Sequence, residues 1–255
     1  MPAASRKPSS WHCGLHRPRK RFGQHFLHDP AVLRRLVEAI APQNGEWIVE
    51  IGPGEGALTR PLVDKAGCVH VIELDRDLAA ALQSMAGVVV HEADALAFDF
   101  GRFPHGMRVV GNLPYNISTP LLFHLASYAD RVRDMHFMLQ AEVVDRMVAA
   151  PSTPAYGRLS VALQARFRMR RLFRVAPGAF RPAPKVDSAV VRMMPRTDML
   201  SVNEDLLRRA FSARRKTLRN ALRGVDLAAA GIDPGLRAEN LSPEDYARLS
   251  MNSIL

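Results

Sequence analysis

The sequence of 255 residues contains little cysteine, no long apolar run and a deficit of acidic residues. Its two cysteines, Cys13 and Cys68, have no metal-ligand spacing and form no disulfide framework, so we expect reduced thiols and no metal site. No apolar stretch reaches the roughly 20 residues that a transmembrane helix needs, and the first residues lack a signal-peptide pattern. These absences predict a cytoplasmic protein that does not associate with membranes.

The deficit of acidic residues gives the chain a strongly positive charge. There are 35 Lys and Arg against 25 Asp and Glu, a formal net charge of +10. Such a surplus attracts phosphate-rich partners, of which nucleic acid is the leading class, although a basic surface without a partner is the alternative. Residues 1–21 are basic and poor in apolar residues, which predicts a disordered tail that is either solvated or in contact with RNA phosphates.

Alternating apolar and amphipathic segments predict an α/β fold. An Asp29 cap followed by Pro30 predicts a helix to about Ala41. Short apolar runs then alternate with helical patterns, as buried parallel strands alternate with crossover helices. The runs cover residues 47–51, 69–73, 88–90, 109–110 and 137–139. This pattern predicts a doubly wound parallel sheet.

The second half of the chain predicts further strands and then a helical end. We expect a helix, an extended segment and a final strand at residues 159–167, 169–175 and 186–194, with an ordered Pro-rich loop at 175–184. Helical patterns follow at residues 206–222 and 243–249. The expected organisation is a basic tail, a large α/β domain and a small C-terminal helical domain, at residues 1–21, 22–196 and 197–255.

A glycine-rich turn follows the first predicted strand in the segment VEIGPGEGALT, which begins at Val49. Glycines such as Gly52 let the backbone approach a ligand closely. Glu73 ends the next strand, where a carboxylate can accept both ribose hydroxyls, and Asp94 follows the third, where it can accept from an adenine amino group. Pro53 and the lack of a phosphate-binding Lys argue against a pyrophosphate ligand. The series predicts an adenosyl ligand, with solvated strand-end carboxylates as the alternative.

The segment GNLPYNIS, from Gly111 to Ser118, comes directly after the fourth strand. In a doubly wound sheet this is the carboxyl edge, where ligands bind. Its Asn112-Leu113-Pro114-Tyr115 loop resembles that of amino-group methyltransferases. Further segments narrow the resemblance to the ribosomal RNA adenine dimethyltransferases. They are RFGQHFL, EIGPGEGALT, VIELDRDL, FRPAPKVDSAVV and FSARRKTLRN.

This resemblance implies a class I S-adenosylmethionine-dependent methyltransferase, with a Rossmann-like doubly wound sheet and S-adenosyl-L-methionine as cofactor. The implied catalytic residues are Asn112, Leu113, Pro114, Tyr115 and Phe180. The Asn112 side-chain oxygen and the Leu113 carbonyl would accept the hydrogens of the target amine, and Tyr115 would stack on the base. Phe180 would form the opposite face of the pocket, with core packing as the alternative.

The resemblance also implies a set of cofactor-binding residues, namely His25, Leu27, Gly52, Glu73, Asp94 and Asn112. His25 departs from the family pattern, which has Asn at this position. The implied substrate is 16S ribosomal RNA within the small-subunit precursor, where two adjacent adenosines of the 3′-terminal hairpin loop are each dimethylated. We expect a monomer.

Three other functions remain open. One is an erythromycin-resistance type methyltransferase that acts on large-subunit ribosomal RNA, and another is a DNA adenine methyltransferase. The third is a non-catalytic assembly factor. Two arginine-rich segments are ambiguous between a solvated face and phosphate binding. They comprise Arg166, Arg168, Arg170, Arg171 and Arg174, and, on a predicted single helical segment, Arg208, Arg209, Arg214, Arg215, Lys216 and Arg219.

Overall fold

A computed structural model describes residues 24–252. The predicted basic tail and Cys13 lie outside the described residues. Cys68 is exposed and free of any disulfide. Within residues 24–252, no helix has the length and apolar character that crossing a membrane requires.

Five parallel strands form the central part of a seven-stranded sheet. They are β2 (Ile48–Ile51), β3 (Val69–Glu73), β4 (Val88–Glu92), β5 (Met107–Asn112) and β6 (Val132–Gln140). Their order across the sheet is β4-β3-β2-β5-β6. The chain therefore winds outward from β2 in one direction and from β5 in the other, which confirms the predicted doubly wound fold.

Helices connect the strands as the amphipathic patterns predict. The helix α1 (Pro30–Ile40) begins at Asp29, whose side chain accepts from the amides of Ala31 and Val32. The crossover helices that follow are α2 (Thr59–Ala66), α3 (Arg76–Gln83) and α4 (Ser118–Ala126). Each packs its apolar side on the sheet, so the sheet is buried on both faces.

Two antiparallel strands complete the sheet beyond β6. The helices α5 (Ala141–Met147) and α6 (Arg158–Gln164) lead into β7 (Phe167–Val175), and β9 (Ser188–Pro195) lies between β6 and β7. The segment 159–167 is therefore helical only as far as Gln164, and Phe167 already belongs to β7. Both strands run antiparallel to their neighbours, so the sheet is mixed at this edge.

The predicted ordered Pro-rich loop is present and pairs with the start of the described chain. Its short strand β8 (Phe180–Arg181) is antiparallel to β1 (Phe26–Leu27), and the amide of His28 donates to Ala179 O at 3.0 Å. This small sheet fixes residues 25–27 beside the large one. The sequence pattern of neither segment predicts this pairing, because β1 and β8 are more than 150 residues apart in the chain.

The C-terminal region is helical, but the predicted single helix over residues 206–222 is wrong. Instead α7 (Glu204–Ser212) ends before a turn, and α8 (Leu218–Ala221) is short. Ala213 leaves the helical region and Thr217 pairs with Arg237, so Arg214 and its neighbours lie in a turn. Together with α9 (Pro243–Met251), these helices bury an apolar cluster that includes Tyr156 and Val161 of the preceding region. The division between residues 196 and 197 stays a prediction.

A buried ion pair fastens α1 to the sheet. The Arg108 guanidinium donates to both Asp134 oxygens, at 2.8 and 3.0 Å, and to the Ile40 carbonyl at the end of α1. Arg108 and Asp134 are almost fully buried. Despite the opposing effect of burial, the nearby Arg108 lowers the pKa of Asp134. The pair is therefore ionised at neutral pH.

Candidate active site

A cavity lies at the carboxyl ends of β2, β3 and β5, where the direction of winding reverses. Open α/β sheets bind ligands at this switch point. Every predicted site residue except Phe180 lines it, namely His25, Leu27, Gly52, Glu73, Asp94, Asn112, Leu113, Pro114 and Tyr115. The structure thus brings together residues that are up to 90 positions apart in the chain.

The glycine-rich turn after β2 lines the cavity, and its backbone conformation requires glycine. Gly52 and Gly54 have positive φ values of 64° and 57°, which favour glycine. A Cβ atom at Gly54 would lie 2.9 Å from the Phe26 ring. The turn is therefore packed closely against Phe26 of β1, and both line the cavity.

Backbone amides orient the Glu73 carboxylate at the end of β3. One oxygen accepts from Gly54 N at 3.2 Å and the other from Asp75 N at 2.9 Å. Burial raises the pKa of Glu73, although these amides oppose the shift. Each oxygen retains a lone pair, so the carboxylate can still accept from a diol.

Asp94 lies in the turn after β4 and is exposed. Its Oδ1 accepts from Leu96 N at 2.9 Å, which fixes the carboxylate in the turn. It lies on the same cavity as Glu73, as the prediction of an adenosyl site requires. The binding roles of both carboxylates stay predictions.

Glu50 is a cavity residue that the sequence analysis did not single out. It lies within β2, is 2% exposed, and its Oε2 has no hydrogen-bond partner among the described residues. Burial raises the pKa of Glu50 to about 7, and the charge of Glu73 contributes to the shift. A charged residue inside the apolar run WIVEI was the available signal.

The cavity is acidic although the chain is basic. Its described lining contains four acidic side chains and no Lys or Arg side chain, the acidic residues being Glu50, Glu55, Glu73 and Asp94. A pyrophosphate would be repelled by such a lining, whereas a positively charged ligand would be attracted. The surplus positive charge of the chain must lie elsewhere.

The Asn112 amide at the end of β5 has a defined orientation. Its Nδ2 donates to the His25 carbonyl at 2.8 Å, and a carbonyl can only accept, so one N–H of the amide is used and the position of the amide nitrogen is fixed. Asn112 Oδ1 is therefore the group left to accept from a ligand. The loop backbone is also fixed, because Leu113 N donates to Met138 O on β6 at 3.1 Å.

Tyr115 is half-buried beside the cavity and is held at its hydroxyl. Tyr115 Oη lies 2.6 Å from Ser188 Oγ on β9, and its ring centroid lies 5.2 Å from that of His25. Burial raises the pKa of Tyr115, so the phenol is neutral at physiological pH. His25 Nδ1 in turn lies 2.7 Å from Pro182 O. These contacts tie Tyr115 and His25 to β9 and to the Pro-rich loop.

Phe180 does not line the cavity, so its placement as the face opposite Tyr115 is not found in this structure. Its side chain is 2% exposed and belongs to an apolar cluster with Leu27, Val175 and Val190. The pairing of β8 with β1 carries Phe180 into this core. The alternative of core packing describes the observed position.

Comparison with known families agrees with this geometry. The family model described as ribosomal RNA adenine dimethylase matches residues 15–253. A protein from Aromatoleum aromaticum named ribosomal RNA small subunit methyltransferase A is 59% identical over 248 residues, covering 92% of this chain and 94% of that protein. A protein of the same name from Thiobacillus denitrificans is 55% identical, covering 92% of this chain and 98% of that protein.

Two solved structures share the fold over most of the chain. A dimethyladenosine transferase from Plasmodium falciparum superposes with a TM-score of 0.76 at 26% identity, covering 88% of this chain and 96% of that one. The 23S rRNA methyltransferase ErmE superposes with a TM-score of 0.66 at 27% identity, covering 89% and 98%.

Proposed function

The chain belongs to the ribosomal RNA adenine dimethylase family, and on this premise we propose which RNA it modifies and how its residues act. As a member of the family, it is a methyltransferase with the S-adenosylmethionine-dependent fold that acts on adenine in ribosomal RNA. Our proposal is that it dimethylates the N6 amines of two adjacent adenosines in the 3′-terminal hairpin loop of 16S ribosomal RNA. The substrate would be the small-subunit precursor, the enzyme a monomer and the location the cytoplasm.

The observation that supports this proposal most strongly is the acidic cavity beside an oriented Asn112. S-adenosyl-L-methionine carries a positive sulfonium, an ammonium group and one carboxylate, so its net charge is positive, and when bound it would supply an electrophilic methyl group. A lining with four acidic side chains and no Lys or Arg fits that charge, although Glu50 is partly protonated at neutral pH. We assign the ribose to Glu73, the adenine amino group to Asp94, and the remaining contacts to His25, Leu27, Gly52 and Asn112.

The chemical task of the loop is to make a poor nucleophile react. The lone pair of an adenine N6 amine is delocalised into the ring, so the amine must be held in a geometry that localises this pair. Two acceptors, Asn112 Oδ1 and the Leu113 carbonyl, would bind its two hydrogens. With the His25 carbonyl holding Asn112 Nδ2, the acceptor is already oriented before the substrate binds. Proximity and alignment then account for much of the rate.

No strong base is needed in this scheme, because the amine nitrogen becomes acidic only as its bond to the methyl carbon forms. When bound, S-adenosyl-L-methionine would supply the methyl group and would keep the electron pair of the sulfur–carbon bond. The nitrogen would then lose a proton to solvent, while Asn112 Oδ1 serves only as a hydrogen-bond acceptor. Pro114 would hold the loop in shape, and Tyr115 would stack on the target base, which is worth roughly 1–3 kcal/mol.

The relatives distinguish this proposal from its rivals. The proteins with more than 50% identity are named for the small ribosomal subunit, whereas ErmE, a 23S rRNA methyltransferase, is 27% identical. A DNA substrate is disfavoured because the family model that matches residues 15–253 is described as ribosomal RNA adenine dimethylase. A purely structural assembly role would not require an oriented Asn112 over an acidic cavity.

Methyl transfer from labelled S-adenosylmethionine to small subunits lacking the modification tests the proposal. We expect dimethyladenine in the 3′-terminal hairpin with the wild type, located by mass spectrometry. Asn112→Ala removes one preorganised acceptor and should lower kcat by on the order of 10²-fold. If the label appeared in large-subunit RNA or in DNA instead, the proposed substrate would be wrong.

A matched control separates chemistry from folding. Asn44→Ala removes another asparagine side chain, on an exposed turn outside the cavity lining, and should leave kcat unchanged. Equal losses in both variants, or full activity in Asn112→Ala, would contradict the role assigned to Asn112.

A further inference from the structure

The structure divides the ambiguous arginines of the β7 region into two groups. Arg171 and Arg174 pair with Asp145 on α5, the latter at 3.0 Å. Arg168 and Arg170 instead line a groove between α1, β7 and β9. Adjacent residues of a strand point to opposite faces, so Arg170 and Arg171 serve different surfaces.

The groove gathers positive charge from three elements. Arg35 of α1 and Arg192 of β9 join Arg168 and Arg170 along its lining, and Glu38 is the one acidic residue among the described residues that line it. Four arginines against one glutamate leave a surplus of three positive charges on the groove lining. Asp145, which pairs with Arg171 and Arg174, does not line the groove. Unlike the acidic cavity, this groove is suited to an anion.

The contacts of these arginines leave much of their capacity free. Arg170 has no ion pair within residues 24–252. Arg168 reaches Asp198 only at 3.9 Å, and both side chains are largely exposed, so the pair contributes little. Arg192 lies 3.4 Å from the buried Asp134, which already binds Arg108.

One arginine is held in place for binding. The Arg35 guanidinium lies 4.1 Å from the centroid of the Phe173 ring, a cation–π contact that limits its motion while its N–H groups remain available. Guanidinium groups match phosphate oxygens in geometry as well as charge. Arg168 and Arg170 are two residues apart on one strand, so their Cα atoms are separated by about 6.6 Å. Their side chains therefore present two neighbouring positive charges in a row.

We propose that this groove binds the sugar-phosphate backbone of ribosomal RNA, at a contact separate from the cavity where the target base is modified. The inference rests on the proposed function for its ligand class, because a row of phosphates fits a row of arginines. Arg192 contacts Asp134 near the start of β6, whereas the cavity lies at the carboxyl ends of β2, β3 and β5. The groove therefore provides a second contact with the RNA backbone, away from the cavity. Such a contact helps to position the RNA but contributes no sequence specificity.

The test measures RNA affinity as a function of salt and needs no methyl transfer. The probes are small ribosomal subunits lacking the methylation and the naked RNA extracted from them. Arg170→Gln and Arg168→Gln each remove one phosphate contact, so each should lower the slope of log K against log salt by about 1. Arg171→Gln is the matched control, because it removes the neighbouring charge that is already paired with Asp145.

Each outcome is decisive. Reduced slopes in the two groove variants but not in Arg171→Gln support the proposal. Unchanged slopes, or an equal reduction in the control, overturn it. A reduction seen with subunits but not with naked RNA would point to an acidic protein and also overturn it. If the wild type binds with the expected slopes yet methylates nothing, the proposed function fails and the groove proposal stands. If the wild type methylates its substrate but the groove variants keep the wild-type slope, the groove proposal fails and the role of Asn112 is unaffected.

Discussion

Glu50 offers the sharpest test of the electrostatics of the cavity. This carboxyl group is buried within β2, has no hydrogen-bond partner for Oε2 among the described residues, and has a pKa raised from 4.5 to about 7. In the unfolded chain it returns to its ordinary value. Between pH 4.5 and about pH 7 the folded protein therefore binds more protons than the unfolded chain.

The sign and size of the effect follow from this difference in proton binding. Stability falls as pH rises wherever the unfolded state binds fewer protons. The loss begins near pH 4.5 and is complete slightly above pH 7. A pKa difference of about 2.5 corresponds to about 3 kcal/mol, because one pKa unit is worth about 1.4 kcal/mol. Glu50 thus destabilises the protein without cofactor at pH 8.

Glu50→Gln keeps the shape of the side chain and removes its titration. We expect the unfolding free energy of the variant, relative to wild type, to rise by about 3 kcal/mol between pH 4.5 and pH 8. Urea unfolding of both proteins at each pH measures this difference, and other titrating groups cancel in the comparison. Glu142→Gln, an exposed glutamate of α5, controls for the loss of an acidic side chain.

The reasoning is refuted if wild type and Glu50→Gln lose the same stability between the two pH values. Such a result would mean that the buried carboxyl ionises as easily as it does in the unfolded chain. A pH-dependent difference of equal size in Glu142→Gln would be equally damaging, because it would assign the effect to overall charge and not to burial.

Two further variants test how the fold is held around the site. Asp134→Asn removes one of the two carboxylates that pair with the buried Arg108, the other being Glu46 at 2.7 Å, and should cost about 3 kcal/mol in urea unfolding at neutral pH; a loss below about 1 kcal/mol would show that the Arg108–Asp134 pair is dispensable. Gly111→Ala would place a Cβ atom 2.4 Å from the Ile51 carbonyl of the adjacent strand, so we expect a loss of about 1–3 kcal/mol or more. Gly178→Ala, where a Cβ meets nothing within 4 Å, should be close to neutral in the same assay and serves as its control.

The sequence alone predicted the parallel core and most of the cavity. Apolar runs at β2, β3 and β5 mark buried strands because burial on both faces demands apolar residues throughout. The predicted site residues Glu73, Asp94 and Asn112 lie at the ends of parallel strands or just after them, and parallel strands bring their carboxyl ends to one edge. The order of Glu73, Asp94 and Asn112 along the chain is therefore sufficient to place them on one site.

Local pattern was less reliable where a distant contact decided the conformation. Leu206 to Leu222 has helical spacing throughout, yet the helix is interrupted because Thr217 pairs with Arg237. Phe180 was assigned to the cavity, yet the pairing of β8 with β1 buries it in the core.

Residue types, spacing and order along the chain were enough to determine the fold class, the site at the carboxyl edge and the family, because these depend on periodicity and on motifs that are local in sequence. Only the tertiary structure decided the protonation of Glu50, the orientation of the Asn112 amide and the division of the β7 arginines. Each of these depends on atoms that are distant in sequence, and burial and hydrogen bonding act through space.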